Sequence, residues 1–322
     1  MANLLNGVWT EKYRPAKLED IILSDENRVF FEEAARKQEI PNLMFSGKPG
    51  CGKTSLAKII VNDILDCQYL YINASDESGI DSIRSKVMTF AQTMSIDGKL
   101  KVVILDEADG LSNVTGGTTG KSSAQQALRN VMEEYLNNTR FILTCNYPYK
   151  VMTALHSRCQ SFDLTPTYEG CIKRCVEILK AENIKVENGS KAHLQDLIKS
   201  KYPDLRKIIN TLQKSVINGE LKLNNTLSDN VIAKEILEKL IAKDNVENIR
   251  EFIINNELAF GNDYHQLLKD LFETMFNIQM EFNKKRNILL CISSAMYQHQ
   301  TVLDQEINAY ACILSISEVL EK

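Results

Sequence analysis

Two stretches about fifty residues apart carry the residue types that handle nucleoside triphosphates. Gly47-Lys48-Pro49-Gly50-Cys51-Gly52-Lys53-Thr54 fits G-x-x-x-x-G-K-[ST], with Ser55 following. Val102-Val103-Ile104-Leu105-Asp106-Glu107-Ala108-Asp109 is an apolar run that ends in carboxylates. In the first stretch, the backbone from Gly47 through Pro49, Gly50, Cys51 and Gly52 to Ser55 can turn its amides onto phosphate oxygens. Lys53 is expected to reach the β- and γ-phosphates, and Thr54 to place its hydroxyl on a magnesium ion. In the second, Asp106 can hold magnesium through water, and Glu107 can orient and deprotonate the attacking water. A chance lysine in a glycine turn, or solvated acids at a strand end, would explain either stretch alone but not the two together. The pair implies binding and hydrolysis of a nucleoside triphosphate with magnesium.

Such chemistry needs a strand-to-helix turn and a neighbouring strand end. Asn42 to Ser46 reads as a short buried strand and Thr54 to Leu65 as a helix, so the glycine-rich stretch is the turn between them. The helix N-terminus adds unpaired amides and the positive end of its dipole. Val102 to Leu105 is a continuous aliphatic run, as in a central strand of a parallel sheet covered on both faces. Asp106 would then lie at the C-terminal edge, where such sheets bind ligands. Further strands at 68–74 and 140–146, and helices at 81–93 and 123–136, complete an alternating pattern over residues 1–165. The fold class is therefore α/β.

From Thr165 the β signal disappears. Helical segments at 168–182, 190–201 and 204–218 would form a small lid spanning 166–226. Leu221 to Thr226 reads as a linker, with Ser228 or Asp229 capping the next helix. Residues 227–322 read as an all-α bundle of roughly four to six helices. The run Thr115-Gly116-Gly117-Thr118-Thr119-Gly120, inside Ser112 to Ser123, reads as a mobile loop.

Composition narrows the setting. The 322 residues have room for two or three domains with real cores. The 44% hydrophobic and 25% charged fractions are ordinary for globular proteins. No apolar run approaches the ~20 residues of a membrane span, and the N-terminus lacks a signal-peptide pattern, so a cytoplasmic location is expected. The eight cysteines have no paired metal-ligand spacing, and reduced structural thiols are expected. A net charge of −4 lends no support to a whole-molecule attraction to nucleic acid.

Further residues, in order, are Trp9-Thr10-Glu11-Lys12-Tyr13-Arg14-Pro15, Thr144-Cys145-Asn146, Ser157-Arg158-Cys159 and Pro203-Asp204-Leu205-Arg206-Lys207. This set resembles the clamp-loader branch of the AAA+ ATPases, both the small subunits of replication factor C and the large subunit of T-even-type bacteriophage loaders. The resemblance covers 1–220 by motif and 229–322 as a helical collar. It implies ATP and Mg2+, and a five-membered ring of copies of this chain with a different subunit. It also implies a sliding clamp and primer–template DNA as partners, with host cytoplasm as the location if the chain is viral.

The same resemblance assigns roles. Asn146 would be the first sensor at the γ-phosphate and Arg206 the second, linking the lid to it. Tyr13, Arg14 and Pro15 would lie beside the adenine. Arg158 would be an arginine finger reaching the neighbouring subunit's nucleotide. Arg84 and Lys86 would face DNA phosphates. The 112–123 segment departs from the family in being longer than the usual link, and it is expected to contact DNA or clamp through Lys121. Ser78 stands where relatives often carry a basic residue that couples DNA binding to the catalytic glutamate. Two other readings stay open: an AAA+ branch-migration motor, which requires a basic winged helix after residue 229, and a switch that binds ATP without turnover.

Overall fold

A computed structural model of the chain describes residues 7–76, 80–93, 98–111, 124–135, 138–185, 190–217, 219–221, 229–257, 260, 262–299 and 301–321. Ser78, Lys121 and the whole 112–123 segment lie outside the described residues. Two compact units, residues 1–222 and 223–322, make up the chain. Among the described residues, no helix is long and apolar enough to cross a membrane.

The first unit runs α1 (Trp9–Lys12), α2 (Asp25–Lys37), β1 (Leu43–Ser46), α3 (Lys53–Ile59), β2 (Tyr69–Asn73), α4 (Ile80–Gln92) and β3 (Lys101–Asp106). It continues through α5 (Ala124–Glu134), β4 (Thr139–Cys145), α6 (Thr153–His156), β5 (Gln160–Asp163), α7 (Tyr168–Ala181), α8 (Ser190–Lys201) and α9 (Leu205–Lys214). A short hairpin, β6 (Val216–Ile217) and β7 (Glu220–Leu221), closes it.

Strands β1 to β5 form one parallel sheet in the order β2-β3-β4-β1-β5. Side chains alternate across it with period two. Leu43, Phe45, Val102 and Ile104 pack with Phe31, Leu56 and Ile60 on one face. Met44, Val103, Leu105, Phe141 and Leu143 pack with Val87, Val131 and Met132 on the other. Covering both faces is what the unbroken aliphatic run of β3 demanded, and β3 is buried along its whole length. Because β4 lies between β1 and β3, the C-terminal ends of all three meet at one sheet edge. The glycine-rich turn, Asp106 and Asn146 are brought together by that order.

Several elements depart from the sequence-based expectations. The helix expected over Thr54 to Leu65 is α-helical only to Ile59 and continues as a π turn, Ile60–Ile64, with Ile60, Val61 and Ile64 buried. Strand β5 extends the sheet beyond the four expected strands. The β signal does not vanish after Thr165, because β6 and β7 pair antiparallel where a helix end and a linker were expected. Leu221, read as linker, is a buried strand residue. Leu221 alternates only with Leu223 among polar neighbours, too short a pattern to mark a two-residue strand.

Cysteines 171 and 175 lie buried on α7, where burial pushes their thiols up to about 11 and about 12. They stay protonated and pack as small apolar groups.

The second unit contains α10 (Asp229–Ile241), α11 (Val246–Asn255), α12 (Tyr264–Asn277), α13 (Phe282–Gln298) and α14 (Gln305–Glu321). Its core is aliphatic, built on residues such as Leu237, Leu267, Leu271, Ile288, Ile292 and Ile313. The described residues of this unit contain helices and no strand, so they include no β-wing of the kind a winged helix requires.

One buried polar side chain stitches the sheet beside the site. Asn42 accepts from the Phe141 amide at 2.9 Å and donates to the Arg158 carbonyl at 3.3 Å. Asn42→Ala would leave the amide of the buried Phe141 unpaired, at about 1–3 kcal/mol. Urea denaturation followed by fluorescence of Trp9, the only tryptophan of the chain, reads the first unit and should show that loss.

Candidate active site

The turn after β1 and the N-terminus of α3 place Lys53 and Thr54 opposite the end of β3. Lys53 is 8% exposed. Its ammonium donates to the Gly47 carbonyl at 2.8 Å, the Lys48 carbonyl at 2.9 Å and Asn146 Oδ1 at 2.8 Å. All three of its protons are used. Burial lowers the Lys53 pKa, and nearby groups including Asp109 and Asp106 act against that shift.

Asp106 is buried at the end of β3, and its carboxylate accepts from three hydroxyls. Thr54 Oγ1 lies 2.8 and 2.9 Å from its two oxygens, Thr144 Oγ1 donates at 2.6 Å, and the Tyr71 hydroxyl donates at 2.7 Å. Thr144 also accepts from the Glu107 amide at 3.0 Å. Glu107 is left-handed, with φ of 56°, a conformation that costs a non-glycine residue about 1–3 kcal/mol. Its amide bond to Thr144, with the bond from the Gly110 amide to its carbonyl, holds that turn. The turn directs Glu107 into the cleft, which is lined by Lys53, Thr54, Asp106, Glu107, Asn146 and Arg206 among others.

Asp109 ties the two catalytic strand ends together. Its oxygens accept the amides of Asn146 at 3.2 Å and Tyr147 at 3.1 Å. Asn146 is thereby fixed from both sides, by backbone to Asp109 and by side chain to Lys53.

Arg206 reaches the cleft because the first turn of α9 lies against the glycine-rich turn. Gly50 has φ of +78°, and a Cβ there would sit 1.9 Å from Asp204 Oδ1 and 3.2 Å from Arg206 Cβ. Only glycine satisfies both the angle and the contact. Asp204 caps α9 by accepting from the Lys207 amide. Cys51 is buried in the same junction, 3.6 Å from the Pro203 carbonyl.

The remaining sequence candidates divide. Gly50, Gly52, Pro49, Ser55 and Arg14 line the cleft, whereas Tyr13 and Pro15 are not among its lining residues. The Tyr13 hydroxyl donates instead to Glu182 at 2.6 Å, beside Lys12. Arg158 lies outside its own chain's cleft, with its guanidinium paired to Glu133 of α5 and donating to the Ala154 carbonyl. Arg84 and Lys86 are exposed on α4. Motif reading passed over the hydroxyl ligands Tyr71 and Thr144 and the tie through Asp109. Thr144 could have been found from its place two residues before Asn146; Tyr71 had no signal.

Comparisons with known proteins agree with this geometry. Residues 43–166 match the model of the "ATPase family associated with various cellular activities (AAA)". Residues 166–222 match the "Sliding-clamp-loader large subunit, AAA+ ATPase lid domain". The replication factor C small subunit of Staphylothermus marinus is 34% identical over 289 residues, 85% of this chain and 84% of that one. That of Archaeoglobus fulgidus is 31% identical over 327 residues, 98% of each chain. That of Sulfurisphaera tokodaii is 34% identical over 331 residues, 98% of this chain and 96% of the other. A nucleotide cleft at the edge of a parallel sheet, an adjoining lid and a similarity that runs nearly end to end place this chain among the clamp-loader AAA+ ATPases.

Proposed function

We propose that this chain is an ATPase subunit of a DNA polymerase sliding-clamp loader, which uses ATP to open the clamp and load it on primer–template DNA. The observation that carries the reading is the separation of Arg158 from a cleft that gathers the other expected side chains. Lys53, Thr54, Asp106, Glu107, Asn146 and Arg206 converge in one cleft, while Arg158 stands outside it on the same chain. In a ring, Arg158 of one copy would reach the cleft of its neighbour.

Within that reading each side chain has a task. Lys53 and the turn amides bind the β- and γ-phosphates. The Thr54 hydroxyl and the Asp106 carboxylate, within 2.9 Å of each other, form a hard oxygen pair of the type that suits Mg2+. Bound there, the ion would neutralise charge between the β- and γ-phosphates. Glu107 accepts the proton of the attacking water, and Asn146 orients that water against the γ-phosphate. Arg206 carries γ-phosphate contact into α9 and so into the lid. The Arg158 guanidinium of the neighbour offsets charge developing on the γ-phosphate. Arg14, which lines the cleft while Tyr13 and Pro15 stand outside its lining, marks the side on which the adenine would lie.

The domains implied are an ATPase core to residue 165, a lid to 226 and a collar that holds a five-membered ring of these chains and a different subunit. Arg84 and Lys86, with Lys121, would meet DNA phosphates, giving backbone-directed and salt-dependent binding in the cytoplasm. A T-even-phage-type loader is our finer assignment; the lid matches a sliding-clamp-loader large subunit, while the relatives named above are archaeal small subunits.

Steady-state ATPase should rise when primed DNA and the clamp of the same replication system are both added. Turnover indifferent to both overturns the loader reading. Glu107→Gln should lower kcat by at least about 100-fold and leave ATP binding intact. An unchanged rate would remove Glu107 as the base. Mixing Lys53→Ala chains, which keep the finger, with Arg158→Ala chains, which keep the site, should restore part of the activity absent from either alone. No recovery at any mixing ratio would count against action between subunits.

A further inference from the structure

Tyr71 is a half-exposed side chain on the edge strand β2, where a tyrosine with no role would turn its hydroxyl to water. Its hydroxyl instead donates to Asp106 Oδ2 at 2.7 Å. Thr144 Oγ1 donates to the other oxygen, Oδ1, at 2.6 Å. Thr54 Oγ1 stands 2.8 and 2.9 Å from the two, facing the edge they share. A carboxylate offers about four lone-pair positions. One brace on each oxygen therefore leaves the shared edge turned toward the hydroxyl that the phosphate-loop motif directs at the metal. The ring itself is held, because the Lys58 ammonium lies 4.9 Å from its centroid and Lys58 belongs to α3, the helix that carries Thr54.

We infer that Tyr71 is a positioning residue that orients the metal-holding carboxylate of Asp106, so that a Mg2+ ion arriving with ATP meets a carboxylate already turned toward Thr54. The inference rests on the reading of Thr54 and Asp106 as the magnesium pair. Without the phenol, the carboxylate keeps only Thr144 as an outer brace and can rotate about its own axis. Loss of such an outer partner costs about 10–100-fold in metal affinity, and with one of two braces remaining the lower end applies.

Tyr71→Phe keeps the ring and its contact with Lys58 and removes only the hydroxyl. Binding of a fluorescent ATP analogue to the assembled complex is measured in EDTA and across a Mg2+ titration, with Mn2+ binding followed by electron paramagnetic resonance. The half-saturating Mg2+ and Mn2+ concentrations should rise about tenfold. Analogue affinity in EDTA and the thermal midpoint should stay where they are. An unchanged metal dependence overturns the inference, and so does an equal loss of affinity in EDTA, which would make Tyr71 a nucleotide or packing residue. Wild-type analogue binding that ignores Mg2+ would overturn the magnesium pair itself, and the inference with it.

Discussion

A single buried carboxylate organises the catalytic half of this molecule. Asp106 sits at the C-terminal end of a strand buried on both faces, where an unpaired charge would be costly. Hydroxyls from three different elements satisfy it: Thr54 from the helix after the phosphate turn, Thr144 from the next strand and Tyr71 from the edge strand. Those hydroxyls can converge only if β1, β3 and β4 end at one level, which the strand order β2-β3-β4-β1-β5 ensures. The same Thr144 hydroxyl receives the Glu107 amide, so the strained turn that presents Glu107 is fastened to the Asp106 carboxylate. The positions of the Asp106 and Glu107 carboxylates are thus one constraint.

The nucleotide turn is joined to the lid by an equally tight constraint. Gly50 leaves no space for a side chain against Asp204, and Asp204 caps the helix that brings Arg206 to the cleft. A shift of the turn by a fraction of an ångström must move the start of α9, because close-packed groups cannot compress. Arg158 belongs to the opposite arrangement. Its ion pair with Glu133 is partly exposed, and exposed pairs contribute little, about 0–1 kcal/mol. The arginine can therefore leave Glu133 for another charged partner at small cost.

Much of this architecture was legible in the residues. The aliphatic run of β3 announced a central parallel strand because only a strand covered on both faces tolerates four consecutive apolar side chains ending in an acid. The glycine-rich turn, Lys53, Thr54 and Glu107 were legible because their spacing is local, set by one turn and one strand end. Short elements were not. The hairpin of β6 and β7, with two residues per strand, is too brief for a period of two to register, and the π turn after Ile59 keeps the apolar spacing of an ordinary helix.

By itself the sequence determined the residue types that meet a nucleotide, the α/β class and the succession of a sheet domain by helices, since each depends on neighbours close along the chain. Only the tertiary structure decided which distant groups complete the site. Tyr71 and Asp106 are 35 residues apart, and Lys53 and Asn146 are 93 apart. No local pattern links such pairs, because they meet through strand order and register. For the same reason the structure alone could place Arg158 outside its own cleft, where a motif records the residue but not the direction in which it points.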